Sequence, residues 1–377
     1  MEEKNKSNKE NNKYSKIKKI SIKKIKRQIK PIKKLSKANK NPIISPNQEN
    51  EWETLQTFNA TAIMFDDKVH FLYRAIGNDG ISRLGYANSK DGFILDERYS
   101  EPVYEHNSIS GKYKCYSFAS GGSWGGCEDP RIVRVNNEPV FYITYTACDG
   151  GLRVGLTSIK INDFINGKWK WSVPKLISPP DEIHKNWVIF PEKIKGKYAI
   201  LHSISPKILI SYVDTLEFKE GEYIKSNYQP GKPDKKRWDS YVRGPGPSPI
   251  KTKYGWLLFY HAMNHKDMGK YKIFAMILDL EDPTKILHRS KEPIIVPEEF
   301  YEMYGGVKPG VVYALGAVIK DELLIVYYGG ADSYVCAAYT NLEEFLEELT
   351  KETKKPIKLK SLKKKKNKPN TKSLYDN

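Results

Sequence analysis

The chain has 377 residues, 39% of them hydrophobic, and a formal net charge of +18, so it is long and apolar enough to bury a core. Residues 1–40 contribute +13 and residues 350–377 contribute +9, which leaves the body at about −4. Because the positive charge is confined to the ends, a nucleic-acid-binding surface on the folded body is disfavoured. The lack of an 18-residue apolar stretch argues against a membrane span.

The N-terminal arm, residues 1–37, is rich in Lys and Asn and is predicted to be disordered, because its few isoleucines offer little surface to bury. It is interpreted either as a solvated tail or as a polybasic arm for an anionic surface, and the tail 349–377 is interpreted in the same way. The arm could also contact a neighbour in a homo-oligomer, which the sequence does not decide.

No export signal is recognised, since no uninterrupted apolar run follows the basic residues. The four cysteines, Cys115, Cys127, Cys148 and Cys336, show no metal-ligand spacing, although Cys115 and Cys127 could in principle be bridged. These features predict reduced thiols and a cytoplasmic location.

Between the tails, one pattern occurs five times: an alternating apolar strand that ends in an aromatic residue or His, a polar loop, and a second strand. The corresponding landmark residues are Tyr73, Tyr145, His202, Tyr260 and Tyr327, separated by 72, 57, 58 and 67 residues. Helical periodicity is evident only in TNLEEFLEELTKE, near the end. Five all-strand repeats of about 60 residues predict an all-β fold, a five-bladed β-propeller over residues 38–348. A β-sandwich would not explain the repetition, and a β-solenoid would have shorter repeats.

A propeller brings the inner strand of each blade to a central channel, so polar residues on these strands converge there. The stretch GGSWGGCEDPRIVRV, residues 121–135, places Glu128 and Asp129 between a glycine-rich loop and a strand. Burial in such a pocket is expected to raise the pKa of Asp129 and suit it to donate a proton. The alternative is a structural Asp that caps a turn or pairs with Arg131.

Several motifs occur together and in order: TFNATAI (57–63), FLYRA (71–75), EDPR (128–131), HKNWVIFPEK (184–193), RGPGPSPIKT (243–252), FYHAM (259–263), AMILDLEDPTKIL (275–287) and YYGGAD (327–332). This set is similar to glycoside hydrolase family 130, which comprises inverting β-mannoside phosphorylases and β-mannosidases built on a five-bladed propeller.

The resemblance implies that Asp129 is the general acid that protonates the glycosidic oxygen. Inorganic phosphate, as co-substrate and without another cofactor, would attack the opposite face of the sugar and yield α-mannose 1-phosphate. Matching positions imply phosphate contacts from Arg74, Lys185, His261 and Tyr271, and mannosyl contacts from Asn59, Arg243 and Asp332. No metal site is implied, and the partner is a mannoside or manno-oligosaccharide.

One departure bears on the reaction: relatives often carry an arginine after the Leu-His pair, and this chain has Ser203. Without that arginine, fewer cationic groups would bind the phosphate, and two alternatives stay open. One is a β-mannosidase that uses water, and the other is a carbohydrate-binding propeller without catalytic activity. A hydrolase would need a second carboxylate, for which Glu192, Asp239 and Glu302 are candidates.

Overall fold

The strands of the computed structural model, which describes residues 34–109, 123–226 and 232–353, form four sheets. The largest sheet consists of two antiparallel units linked by a short parallel pairing, Ile81 with Gly125 and Ser82 with Gly126. The described chain therefore forms five successive antiparallel units, and the fold is mostly β, as predicted.

The first two units make up the largest sheet. The first contains β2 (Gln56–Phe65), β3 (Lys68–Ile76), β4 (Ile81–Ser89) and β5 (Glu97–Arg98), and the second contains β6 (Gly125–Val133), β7 (Val140–Cys148), β8 (Leu152–Lys160) and β9 (Lys175–Leu176).

The remaining three units are separate sheets. The third contains β10 (Val188–Ile189), β11 (Tyr198–Ser203) and β12 (Leu209–Val213). The fourth contains β13 (Tyr241–Pro245), β14 (Ile250–Thr252), β15 (Gly255–Asn264), β16 (Asp267–Leu278) and β17 (Ile286–Arg289). The fifth contains β18 (Val312–Lys320), β19 (Leu323–Gly330) and β20 (Tyr334–Asn341), and the N-terminal strand β1 (Ser36–Lys37) pairs with β20.

Helices are few and short: α1 (Ile161–Ile165), α2 (Phe300–Met303), α3 (Leu342–Thr353) and the 3-10 helix Glu51–Glu53. The helix predicted from TNLEEFLEELTKE is α3. No helix in the described ranges has the length and apolarity needed to cross a membrane.

The predicted landmark residues all lie on the strand that pairs with the first strand of their unit, and their polar atoms are hydrogen bonded. Tyr73 Oη donates to Glu53 Oε2 at 2.8 Å, and Arg98 binds both groups. Tyr260 Oη donates to Asp239 Oδ2 at 2.7 Å, and Arg289 again binds both. The repetition seen in the sequence is thus a repeated buried hydrogen-bond arrangement, clearest in the first and fourth units.

Apolar clusters fill the spaces between successive units, and a further cluster joins the fifth unit to the first. Representative pairs across these spaces are Leu72 with Ile143, Val154 with Ile200, Leu201 with Leu258, Phe259 with Leu324, and Phe71 with Tyr327. The rings of Phe71 and Tyr327 meet edge to face with centroids 4.7 Å apart. An apolar cluster therefore lies between each unit and the next.

The predicted division at residues 37/38 and 348/349 stays a prediction, although β1 lies within the predicted arm and α3 lies across the second position. Leu35 is buried and donates its backbone N–H to Ile294 O. Cys127, Cys148 and Cys336 are buried, whereas Cys115 lies outside the described residues.

Candidate active site

Polar side chains from all five units meet in a pocket of about 100 Å³ beside the first strands of the sheets. Seven of the eight predicted site residues line it, and His261 does not. The lining residues are Asn59, Arg74, Asp129, Lys185, Asn186, Arg243, Tyr271, Lys308, Tyr313 and Asp332.

Bulges in the first strands turn these side chains into the pocket. The pairing register shifts between Phe58 and Thr61 in β2 and between Glu128 and Arg131 in β6. Within these bulges Asn59 has φ 50° and Asp129 has φ 51°, the left-handed region that Asn and Asp tolerate better than most residues. Asn186, with φ 65°, and Asp332, with φ 50°, reach the pocket from the same backbone region.

Asp129 is only 5% exposed, and its carboxylate accepts hydrogen bonds from two residues of the first unit. Asn59 Nδ2 donates to Asp129 Oδ1 at 2.8 Å, and Arg74 Nη1 donates to the same oxygen at 3.3 Å. Arg131, the structural partner considered from sequence, binds the backbone carbonyl of Asp129 instead, with Nη1 at 2.8 Å. The carboxylate therefore faces the pocket as part of a charged cluster.

The expectation that the pocket raises the pKa of Asp129 is wrong for the protein groups that surround it. Burial pushes the pKa upward, but the charges of Arg74, Lys185 and Arg131, with the Asn59 hydrogen bond, outweigh it and lower the pKa to about 2. Asp129 is consequently ionised at neutral pH until something neutralises the surrounding cations.

Glu128 forms the centre of the buried ion cluster behind Asp129. Arg74 Nη2 donates to Glu128 Oε1 at 3.1 Å, and Lys185 Nζ donates to Oε2 at 2.9 Å. Ser123 Oγ donates to Oε1 at 3.0 Å. Because Glu128 is fully buried and bound by two cations, it orients Arg74 and Lys185 towards the pocket.

Asp332 lies across the pocket on the turn between β19 and β20, and Lys308 Nζ is 2.8 Å from its Oδ2. The neighbouring glycine allows Asn59 to approach this turn, since a Cβ at Gly329 would lie 2.2 Å from Asn59 Oδ1. Asn59 and Asp332, two of the three predicted mannosyl contacts, are therefore close to the same turn.

The opposite wall is aromatic and basic. The Arg243 guanidinium lies over the Tyr271 ring at 5.9 Å from its centroid. Tyr313 Oη donates to Asn186 Oδ1 at 2.9 Å, and Arg131 Nη2 donates to the same oxygen at 2.9 Å. Asn186 thus fixes Tyr313 in the pocket wall.

His261 lies behind this wall, fully buried and stacked on Tyr313 with ring centroids 3.6 Å apart. Its Nε2 donates to Ala314 O at 2.8 Å. Burial lowers the pKa of His261 to about 3, so the ring is neutral and Nε2 carries the proton. The predicted contact between His261 and phosphate stays a prediction.

A second cavity of about 340 Å³ adjoins the pocket and shares Lys185, Asn186 and Arg243 with it. Ser203 lines this cavity, and its Oγ donates to Ser205 O at 3.0 Å. A small side chain at this position leaves open space beside the cations.

The three carboxylates considered for water activation lie in other interactions and do not line the pocket. Glu192 binds Lys251 on the surface, Asp239 belongs to the Tyr260 cluster, and Glu302 accepts from Tyr328 Oη at 2.8 Å. Among the residues that the structure describes, the carboxylates lining the pocket are Asp129 and Asp332.

Three lining residues, Asn186, Lys308 and Tyr313, were not predicted. Asn186 follows Lys185 within the HKNWVIFPEK motif, so its position was available from sequence. Lys308 and Tyr313 follow a loop whose path the motifs do not specify. In the ranges described here, no group of three His, Cys, Asp or Glu side chains could hold a metal ion.

Comparison with known proteins gives one consistent result. The model of glycoside hydrolase family 130, described as beta-1,4-mannooligosaccharide phosphorylase, matches residues 16–352. The chain is 37% identical over 318 residues to 1,2-beta-oligomannan phosphorylase of Thermoanaerobacter sp. (strain X514), covering 80% of this chain and 96% of the relative. It is 31% identical over 285 residues to beta-1,2-mannobiose phosphorylase of Listeria innocua, covering 73% and 70%.

Solved structures agree. One solved structure is described by the statement that the GH130 family of mannoside phosphorylases contains glycoside hydrolases that target beta-1,2 mannosidic linkages in Candida mannan. It matches with a TM-score of 0.66 and 25% identity, covering 83% of this chain and 95% of the other. The Listeria innocua enzyme in complex with beta-1,2-mannobiose matches with a TM-score of 0.65 at 23% identity, covering 84% and 99%, which supports the fold. The chain belongs to glycoside hydrolase family 130, an enzyme family that acts on β-mannosides.

Proposed function

We propose that this protein is an inverting phosphorylase that cleaves β-mannosides with inorganic phosphate and releases α-mannose 1-phosphate. The observation that carries the proposal is that the buried acid Asp129 and the cations Arg74, Lys185 and Arg243 line the same pocket. An anionic nucleophile needs such cations, whereas a water nucleophile needs a carboxylate base.

The reaction would proceed by a single displacement. Asn59, Arg243 and Asp332 would hold the mannosyl ring, and the protonated Asp129 would give its proton to the glycosidic oxygen as the bond from that oxygen to C1 breaks. A phosphate oxygen would form the new bond to C1 from the opposite face, which inverts the configuration. Asp129 would recover its proton from solvent.

Arg74, Lys185 and Tyr271 would bind the phosphate, with His261 supporting the wall through Tyr313. Bound phosphate would also offset the positive charge that keeps Asp129 ionised. The nucleophile would therefore help to protonate the acid that the reaction needs.

The five antiparallel units are proposed to form the five blades of a propeller. Two features support this arrangement: a core cluster between the fifth and first units, and a pocket lined by all five units. A separate apolar cavity of about 300 Å³ is lined in each unit by the C-terminal end of the first strand or by residues shortly after it, including Phe65, Arg134 and Ile319. The channel would thus be polar at one end and apolar at the other.

A β-1,2 linkage is proposed for the substrate. Relatives that are 37%, 33% and 31% identical are named for β-1,2-linked substrates. The relative named for β-1,4-mannooligosaccharides, from Ruminococcus albus, is 26% identical.

Hydrolysis is the second candidate, and the space beside Ser203 is the observation in its favour. A water molecule could occupy that space and attack in place of phosphate. The positions of Glu192, Asp239 and Glu302 outside the pocket favour phosphorolysis.

Replacement of Asp129 with Asn tests the assignment of the acid. The variant keeps the size of the side chain but cannot supply an acidic proton, so kcat on β-1,2-mannobiose with phosphate should fall about 10²- to 10⁴-fold. The thermal unfolding curve serves as the folding control. Activity within tenfold of wild type in a folded variant would remove Asp129 from this role.

A further inference from the structure

Two aromatic rings project into solvent from the segment that precedes β18. Phe300 is 76% exposed and Tyr304 is 71% exposed, and their ring centroids are 5.6 Å apart with an interplanar angle of 42°. Exposed aromatic pairs of this kind are typical of ligand-binding surfaces. Large rings gain free energy when they are buried, and a bound ligand can bury rings that the fold leaves exposed.

The segment that carries these rings is held to the fifth unit by a buried carboxylate. Glu302 on α2 is fully buried and accepts hydrogen bonds from Tyr328 Oη and from the backbone N–H groups of Glu298 and Glu299. Lys37 on β1 also binds Glu302. Since the inner face of α2 is fixed in this way, its outward-facing rings are held in place.

The same segment continues directly into the pocket. Lys308, a lining residue, donates its backbone N–H to Ala331 O at 2.9 Å, and Val307 donates to Ser333 Oγ at 2.9 Å. These bonds attach residues 304–308 to the turn that carries Asp332. Tyr304 is therefore four residues along an anchored chain from a side chain that reaches the pocket.

A bound sugar chain must leave the pocket past its rim. Below the pocket the first strands pack closely: a Cβ at Gly316 would lie 3.0 Å from Ala60 O. The sugars beyond the cleaved bond would thus extend towards solvent. The exposed Phe300–Tyr304 pair lies on the same anchored segment as the lining residue Lys308. The C–H face of a pyranose ring complements an aromatic face, while its hydroxyl groups stay in water.

We propose that Phe300 and Tyr304 form an aromatic platform that binds mannosyl residues beyond the bond that is cleaved, so that longer β-mannans are preferred over the disaccharide. This inference rests on the proposed function. Lys308 would connect the platform to the pocket by donating hydrogen bonds to sugar hydroxyls while it holds Asp332.

The test compares β-1,2-mannobiose with β-1,2-mannotetraose in phosphorolysis by wild type and by the double variant Phe300→Ala/Tyr304→Ala. We expect the ratio of kcat/KM for the tetraose to that for the biose to fall about tenfold, which corresponds to about 1.4 kcal/mol of lost binding. Val173→Ala is the matched control, because Val173 is 76% exposed and lies in the second unit, away from α2; its ratio should equal that of wild type.

An unchanged ratio in the folded double variant would overturn the platform. If the variant instead changes the sedimentation mass and not the ratio, the rings form a protein contact and the proposal is wrong. If the double variant fails to fold, the single variant Tyr304→Ala is tested instead. An unchanged tetraose-to-biose ratio of kcat/KM in that variant would overturn the platform.

Calorimetric binding separates this inference from the proposed function. Tetraose binding to wild type and to the double variant is measured without phosphate, so no turnover is needed. A wild type that binds the tetraose more tightly than the variant but yields no mannose 1-phosphate would contradict phosphorolysis and retain the platform. Equal binding to both proteins would overturn the platform whatever the reaction.

Discussion

The charge on Asp129 is the feature of single residues that most affects the proposed reaction. Arg74 and Lys185 stabilise the ionised carboxylate and hold its pKa at about 2. An acid catalyst must be protonated, so the reaction needs a charge balance different from the one that these side chains set. Phosphate, which brings negative charge beside the same cations, would supply this difference.

Anion binding should therefore be accompanied by proton uptake at Asp129. Negative charge beside Arg74 and Lys185 raises the pKa from about 2, and the carboxylate takes up a proton increasingly as the pH falls from about 7 to 5. Sulfate is a suitable probe, because it carries two negative charges and does not titrate in this range. Calorimetry in two buffers of different ionisation enthalpy measures the protons taken up.

Asp129→Asn is the control for this measurement, because it keeps the cations and removes the titrating group. Uptake that is equal in wild type and variant, or absent in both, would show that anion binding does not control the charge on Asp129.

The sequence indicated most of the pocket at this level but not its electrostatics. Asn59, Asp129 and Asp332 were predicted because they stand in motifs at matching positions. The direction of the Asp129 pKa shift was missed, because it depends on where Arg74 and Lys185 lie in space. His261 was placed in the pocket from its motif, whereas its ring stacks behind Tyr313.

At the level of the strands, strand pairing explains how the motifs of different units come together at the pocket. The glycines around Glu128 serve the junction of two units: Gly126 has φ +88°, and a Cβ there would lie 2.0 Å from Ser82 O in β4. Ser82 Oγ also accepts from Arg74 Nε at 2.8 Å. The junction between β4 and β6 therefore positions an active-site arginine.

Gly126→Ala should destabilise the protein by about 2–4 kcal/mol, combining left-handed strain with a backbone clash. Gly196→Ala is the matched control, because Gly196 has φ +78° and no atom within 4 Å of an added Cβ; we expect a cost of about 1 kcal/mol from strain alone. Urea unfolding measures both. Equal losses in the free energy of unfolding would mean that the β4–β6 junction accommodates the added Cβ without a further cost.

Element types were predictable because strand alternation and the α3 periodicity are local signals. The bulges were not, since they appear only as register shifts between paired strands. The short strand β1 was assigned to the disordered arm, because two residues carry no periodic signal.

For the molecule as a whole, β1 joins the N-terminal segment to the last sheet. Ser36 and Lys37 pair with Tyr339 and Ala338, and Lys37 binds the buried carboxylate of Glu302. Five repeats were recognisable from sequence, but the pairing of β1 with β20 links residues about 300 positions apart, which no local pattern reveals.

Removal of residues 1–38 should therefore cost more stability than removal of residues 1–33. The longer deletion exposes the edge of β20 and leaves Glu302 without Lys37, and loss of one partner of a buried pair typically costs about 3–5 kcal/mol. Denaturant unfolding of the two truncated proteins gives the difference. A difference below about 1 kcal/mol would show that β1 adds little to the last sheet.

The central claim, phosphorolysis of β-mannosides at the Asp129 pocket, is tested most directly by product analysis. Purified protein is incubated with β-1,2- and β-1,4-linked manno-oligosaccharides with and without inorganic phosphate. The account predicts α-mannose 1-phosphate from the β-1,2-linked substrates, only when phosphate is present and not with Asp129→Asn. Free mannose released equally with and without phosphate would contradict it and identify a hydrolase.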